Sequence, residues 1–324
     1  MISISEMQSL INRAIAEKKF PERPAELYEP IKYTLSLGGK RLRPILTLIA
    51  CDLFNGSILK ALEPALGIEA FHNFTLMHDD IMDKAPLRRG SATVHAKWNE
   101  PVAILSGDVM LVEAYKAVSQ VDDSILRQVL DIFNAIATGV CEGQQIDMNF
   151  EQSNEVTVSE YLAMIELKTA VLLGGSLKIG AVIGGSGVKH ADTLYDFGIN
   201  LGLAFQLQDD ILDVYGDPEK FGKQVGGDII SNKKTFLVIK ALELAEGIDQ
   251  EELNHWLNLD EFVPETKVEA VTNIYNRLGV RQVAETEMNR YAERALKLLE
   301  EIPAEEEKKK MLRGFAEMLL VREN

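Results

Sequence analysis

The stretch PALGIEAFHNFTLMHDDIMD, residues 64–83, carries the clearest structural signal in the chain. Its apolar residues recur at i, i+3 and i+4, the period of an α-helix. It ends in an acidic cluster, Asp79-Asp80-Ile81-Met82-Asp83, of the form D-D-x-x-D. Residues four apart share a helix face, with Cβ atoms about 5–6 Å apart, so Asp79 and Asp83 point the same way. The same form returns at Asp209-Asp210-Ile211-Leu212-Asp213, behind Leu201, Leu203, Phe205 and Leu207. A single acidic triplet is ordinarily a solvated helix face. A repeated one embedded in apolar sequence is harder to dismiss, because a carboxylate inside an apolar helix is costly unless paired or metal-bound. Hard cations such as Mg²⁺ take oxygen ligands and bridge one or two carboxylates to substrate phosphates. Two such clusters facing each other would hold a group of Mg²⁺ ions with a diphosphate between them.

Helical spacing dominates the remaining sequence. It spans Ile45 to Leu53, Ala103 to Val118, Ile125 to Asp147, Tyr161 to Ile183 and Leu194 to Val214. It continues from Lys234 to Ala245, Val268 to Leu278 and Ala284 to Glu300. Alternating runs bounded by turn pairs are scarce. The expected fold is all-α, with long helices around a deep central cavity in one domain over residues 1–324. The Gly- and Ala-rich stretch Leu172 to Gly187 reads as a tightly packed central helix. Residues 84–98, with Pro86 and Gly90, read as a loop, and Gly216 to Gly227 as a longer one. Both begin just after an acidic cluster, where scaffold-borne loops commonly carry function. The charge run Glu305 to Lys310 reads as a solvated turn or helix face.

Composition narrows the function. The chain has 324 residues, a hydrophobic content of 46% and a formal net charge of −16. The core can be large, and the acidic charge argues against nucleic-acid binding. Anionic substrates are not excluded, because metal ions and local basic groups invert the field. Cys51 and Cys141, the two cysteines, make neither a disulfide framework nor a zinc site. Residues 1–20 have helical spacing without a signal-peptide core, and no apolar run is long enough for a membrane span. A soluble, cytoplasmic protein is expected.

Three basic groups complement the acidic clusters. Gly38-Gly39-Lys40-Arg41-Leu42-Arg43-Pro44 combines two glycines, which let backbone N–H groups approach an anion, with guanidinium forks that match phosphate oxygens. Arg88-Arg89-Gly90 follows the first cluster. Lys223, Lys233 and Lys234, with Asp228, follow the second. One diphosphate would bind through Mg²⁺; Lys40, Arg43 and Arg89 would make a second, metal-free anion site. Two phosphorylated substrates are implied.

With these residues the chain resembles the trans-isoprenyl diphosphate synthases of the polyprenyl synthetase family, in particular the short-chain geranylgeranyl and farnesyl types. GGKRLRP at 38–44, HDDIMDxxxLRRG at 78–90, FQLQDDILD at 205–213 and GKxxGGDI at 222–229 match in order, so the resemblance covers nearly the whole chain. It implies an all-α bundle around a deep cavity, as a homodimer. It implies that Asp79, Asp83 and Asp209 ligate three Mg²⁺ ions on an allylic diphosphate, supported by Asp80, Asp210 and Asp213, with Mn²⁺ as an alternative metal. Arg88, Lys168, Lys223 and Lys233 would contact that diphosphate. Gly39, Lys40, Arg43, His72 and Arg89 would hold isopentenyl diphosphate. Lys168, Thr169 and Gln206 would shield the allylic cation. The implied reaction is head-to-tail condensation of isopentenyl diphosphate with dimethylallyl, geranyl or farnesyl diphosphate. The released diphosphate would take the proton that is lost.

Three other readings compete. A terpene cyclase shares the fold but ordinarily replaces the second D-D-x-x-D and lacks the isopentenyl site. A non-catalytic regulatory subunit would carry degraded acidic motifs. An acidic helical scaffold leaves the basic loops unexplained. His72 on an apolar helix is by default a hydrogen-bonded core residue. Thr169 by default back-bonds to its own helix, and Trp98 and Trp256 by default pack. His78 has no assigned role. Product length is expected to depend on the Asp79 helix. Thr75 lies about 6 Å below Asp79 on its face, and Phe71 about 12 Å below at the edge of that face. Phe74, about 7.5 Å below, points largely away, although the family uses that position to limit length. Small Thr75 with bulky Phe71 and Phe74 gives a product of twenty or fifteen carbons.

Overall fold

The computed structural model describes residues 2–153, 155–217 and 225–320, and among them helices account for almost all regular structure. The chain divides into two compact units. The first is Met1–Ala137, Gly175–Tyr195 and Pro303–Leu312; the second is Thr138–Gly174, Asp196–Ile302 and Arg313–Asn324.

In the first unit, α1 (Ile4–Glu17) starts at a capping box in which Ser3 and Glu6 satisfy each other's backbone N–H groups. The next helices are α2 (Ala25–Ser36), α3 (Leu42–Leu53) and α4 (Ile58–Met82), the last bearing the first acidic cluster. Most of α4 is buried, so it reads as an interior helix with apolar residues on several sides. It packs on α3 and on α6 (Glu100–Val118). A Cβ on Gly67 would lie 2.8 Å from the Ala114 carbonyl oxygen, and one on Gly107 would lie 2.2 Å from His78 Nε2. The two glycines are therefore notches that let α4 and α6 meet closely. His78 fills the second notch, within 3.2 Å of the Ile104 carbonyl and edge-on to Phe74. That is a packing role for a residue the sequence left without one.

The expected loop at 84–98 contains a short hairpin, β1 (Leu87–Arg88) with β2 (Ser91–Ala92), and α5 (Val94–Lys97). Its two turn residues, Arg89 and Gly90, have φ of 53° and 74°, as a two-residue primed turn requires.

Three long helices follow: α7 (Asp123–Glu151), α9 (Val171–Ile183) and α10 (Val188–Tyr215). Ahead of α9, α8 (Val158–Ile165) opens with a Thr157–Glu160 capping box, and residues Glu166–Ala170 form a π-turn. The helix expected from Tyr161 to Ile183 is thus present but interrupted.

The second unit continues through α11 (Gly227–Ile230), α12 (Phe236–Leu244) and α13 (Gly247–Leu257). It closes with α14 (Pro264–Leu278) and α15 (Val280–Glu300), joined by left-handed Gly279. Its core gathers Tyr161, Leu203, Leu207, Ile211, Phe236, Val271 and Tyr275.

Last is α16 (Glu306–Leu320). The charge run at its start is not simply solvated. Lys308 is buried, and its ammonium reaches Asp52 and Asn55 at the end of α3, 2.9 Å from Asn55 Oδ1. The lysine satisfies acceptors at a helix C-terminus, where a cation is favoured. Among the described residues no helix is long and apolar enough to cross a membrane.

Candidate active site

In the first unit α4 carries the acidic cluster near its C-terminal end. Asp79 is half-buried and Asp83 exposed, while Asp80 turns inward with 4% of its surface exposed. Arg88 Nε donates to Asp80 Oδ1 at 2.7 Å. Burial nevertheless raises the Asp80 pKa, with Arg88 opposing.

Around α4 lies a cluster of arginines. Arg41, buried and left-handed at the start of α3, pairs with Glu69 at 2.6 Å and donates to the Leu35 carbonyl. Asn73 Nδ2 completes Glu69 at 3.1 Å. Arg43 Nη1 donates to His72 Nε2 at 3.1 Å. An acceptor at Nε2 places the ring proton on Nδ1 and keeps His72 neutral. Burial, then Arg43, Arg89, Arg88 and Arg41 in turn, hold its pKa well below the usual histidine range. Arg43 is itself pushed down to about 10 by burial, and its Nε has no partner. Arg89 donates to the Gly38 carbonyl, and its guanidinium lies against Gly39, where a Cβ would stand 3.1 Å away. Gly39 also has φ of 137°, a backbone conformation that strains any residue with a Cβ, and a side chain there would also press on the Arg89 guanidinium. Glu69 and Asp80 answer Arg41 and Arg88. Among the described residues no carboxylate makes an ion pair with Arg43 or Arg89. The expected residues Gly39, Arg43, His72 and Arg89 are thus together, with Lys40 exposed beside them. The half-buried Arg43 and the exposed Arg89 beside it, neither ion-paired with a carboxylate among the described residues, suit an anion.

In the second unit α10 repeats the pattern with different partners. Asp210 is 3% exposed. It accepts from the Tyr161 hydroxyl, from Gln206 Nε2 at 3.2 Å and from the Phe236 N–H at 3.4 Å, at the start of α12. Burial, then Asp228, pushes its pKa up to about 7, against Tyr161, Lys233 and Gln206. Asp213 Oδ2 accepts the Asp228 N–H at 3.0 Å.

Lys168 and Thr169 sit in the π-turn, a feature often found at functional sites. Lys168 pairs with Asp147 at 2.5 Å, and the Thr169 hydroxyl donates to Gln206 Oε1 at 3.3 Å. A Cβ on Gly143 of α7 would lie 2.3 Å from the Lys168 nitrogen, so that glycine seats the turn. Lys233 follows α11, its N–H donating to the Asp228 carbonyl at 2.9 Å. Lys223, together with Gly222, lies outside the described residues.

Of the residues expected to set product length, Phe71 is fully buried, edge-on to Phe133 and tilted against Phe74. Thr75 is half-buried, its hydroxyl donating to the His72 carbonyl.

Among the described residues no three His, Cys, Asp or Glu side chains form a ready-made metal set. The donor chemistry still fits Mg²⁺, which keeps waters and completes its shell with substrate phosphates. Asp79, Asp83 and Asp209 are half-buried or exposed carboxylates; Asp80 and Asp210 are committed to protein donors.

Sequence reasoning missed Glu69, Asp147 and Tyr161. Their partners lie 28, 21 and 49 residues away, so no local pattern marks them.

The family model for polyprenyl synthetase matches residues 24–276. The chain belongs to the polyprenyl synthetase family. Among family relatives, a short chain isoprenyl diphosphate synthase of Methanothermobacter thermautotrophicus is 39% identical over 305 residues, 93% of this chain and 92% of that one. A geranylgeranyl diphosphate synthase of Methanosarcina mazei is 40% identical over 248 residues, 76% of each chain. A crystal structure of geranylgeranyl pyrophosphate synthase superposes with a TM-score of 0.96 at 43% identity, covering 100% of both chains. The all-α isoprenoid synthase fold expected from the sequence is therefore the fold of this family member.

Proposed function

We infer that this chain is a short-chain trans-prenyltransferase that joins isopentenyl diphosphate head-to-tail to an allylic diphosphate. The observation that carries the reading is the arginine cluster beside α4. Half-buried Arg43 and exposed Arg89, neither ion-paired with a carboxylate among the described residues, together with neutral His72, fit a diphosphate held without metal. A terpene cyclase has no use for that second anion site, and a non-catalytic subunit has no use for two complete acidic clusters.

We propose that Asp79, Asp83 and Asp209 are oxygen donors to Mg²⁺ ions on the allylic diphosphate, three by family resemblance, and that Mn²⁺ substitutes. Asp80, Asp210 and Asp213 fix the backbone and orientation of those donors. When bound, the metal neutralises the leaving diphosphate as a Lewis acid and orients it. Arg88, Lys168, Lys223 and Lys233 add positive charge to the same group. Gly39, Lys40, Arg43, His72 and Arg89 hold isopentenyl diphosphate, its double bond aimed at the allylic carbon. Thr169, Gln206 and Lys168 line the path of the cationic carbon, which must stay dry to avoid hydrolysis. The departing diphosphate takes the proton that restores the double bond.

The allylic substrate is proposed as dimethylallyl, geranyl or farnesyl diphosphate, the product as twenty or fifteen carbons, and the setting as cytoplasmic. The two units are proposed to serve as one catalytic domain; the family match runs through both. A homodimer is proposed on the apolar face of α6, where Ile104, Leu105, Val112 and Tyr115 are exposed. The test is diphosphate release from isopentenyl plus each allylic diphosphate, with and without Mg²⁺, followed by chromatography of the products. Metal-dependent release with a product five carbons longer than the allylic substrate is expected; release without isopentenyl diphosphate would point to a cyclase.

A further inference from the structure

Lys267, on α14, has 0% of its surface exposed. Its ammonium donates to Asn232 Oδ1 at 2.7 Å and lies 4.0 Å from the centroid of the Phe262 ring. Among the described residues no carboxylate pairs with it. An ammonium buried without a counter-ion is costly, and desolvation lowers its pKa. What it grips gives the burial a purpose. Asn232 has φ of 54°, in the left-handed region, and its Nδ2 donates to the Leu257 carbonyl at 3.0 Å. Both ends of one amide are clamped. The next residue is Lys233, whose N–H donates to the Asp228 carbonyl at 2.9 Å. The Asp228 N–H in turn donates to Asp213 Oδ2 at 3.0 Å. The turn between α11 and α12 thus bears Lys233 and, through the Lys233 N–H, is tied to Asp228 at the start of α11, whose own N–H braces the second acidic cluster.

We propose that Lys267 is a positioning residue for the allylic diphosphate: through Asn232 it fixes the turn that presents Lys233 and steadies Asp213. This rests on the assignment of Lys233 and the α10 cluster to that diphosphate. A lysine that merely filled space would affect both substrates through general loosening. A lysine that sets this turn affects one.

The test compares Lys267→Met, Asn232→Gly, their double and Lys233→Ala in the full chain, with separate KM values for the two substrates. Glycine keeps the left-handed backbone available and removes the clamped amide. Lys267→Met and Asn232→Gly should each raise the allylic KM about tenfold, as for a lost hydrogen bond to a charged group. The isopentenyl KM should hold, and the double should be no worse than the poorer single, because both variants cut one link. Should Lys267→Met fail to fold, Asn232→Gly carries the test alone. Parallel rises in both KM values, or additive effects, overturn the proposal. No effect in Lys233→Ala overturns the Lys233 assignment and this proposal with it. An effect there with none in Asn232→Gly overturns this proposal alone.

Discussion

Asp80 and Asp210 hold the same place in matching motifs, and both are buried, yet one meets a guanidinium and the other meets only neutral donors in direct contact. Asp80 is bonded to Arg88 at 2.7 Å. Asp210 is held by a tyrosine hydroxyl, a glutamine amide and a backbone N–H. The difference extends outward. The α4 cluster stands beside Arg41, Arg43, Arg88 and Arg89; the α10 cluster stands among Tyr161, Gln206 and Asp228, with Lys233 near enough to lower the Asp210 pKa. A helical D-D-x-x-D aims its first and last carboxylates outward and leaves the second to whatever the fold supplies. Where a guanidinium bonds the carboxylate, it opposes the rise that burial causes. Where the direct partners are dipoles, burial and then Asp228 lift the pKa to about 7.

The outer carboxylates should be equivalent despite this contrast. Asp79→Ala and Asp209→Ala should each lower turnover by about 10²–10³-fold at saturating Mg²⁺, the range for removing one preorganised electrostatic group. Diphosphate-release kinetics measure it, and a near-normal rate in either variant would end the parallel between the clusters.

The arginine surroundings of α4 should show in substrate choice. Arg43→Ala should raise the isopentenyl KM by about ten- to a hundredfold, for loss of a charged hydrogen-bonding group. The allylic KM should barely move. Equal changes in both would remove the metal-free site. Neutral His72 adds a check: its depressed pKa predicts no histidine inflection between pH 6 and 7 in kcat/KM for isopentenyl diphosphate, a profile that His72→Gln should leave unaltered in shape.

The smallest effect is on stability. Because the folded Asp210 pKa is raised, its contribution is fully present below the unfolded value near 3.8 and is lost as pH rises through about 7. In protein freed of metal by chelation, Asp210→Asn should therefore melt several degrees above the parent at pH 8 and lose that advantage near pH 4. Asp80→Asn should gain less, because it strips Arg88 of its partner. Melting curves across that range decide it, and equal gains would mean that Arg88 does not compensate Asp80.

What the sequence revealed follows from how far each signal reaches. The helices α4 and α10 were legible because their apolar periods are long. Exposed α13, with Leu253 as its one buried residue, shows no apolar stripe to read. In α2 the buried Pro30 lies within the helix and breaks the local pattern, although tertiary packing overrides it. The π-turn at Glu166–Ala170 carries no signature of its own, since Gly143 on another helix makes room for it. The acidic and basic motifs were legible as local spacing. Their inward partners, Tyr161, Glu69 and Asp147, were not, because contacts between distant residues leave no mark on a single chain.

The central claim is that both acidic clusters serve one diphosphate. The most direct measurement is calorimetric binding of an unreactive allylic thiodiphosphate, with Mg²⁺, to the parent, Asp79→Ala, Asp209→Ala and the double variant. Strong weakening in each single, with the double far short of their sum, is the predicted result, since either loss already dismantles the shared metal–diphosphate group. Strictly additive losses would contradict the claim and assign the two clusters to separate ligands.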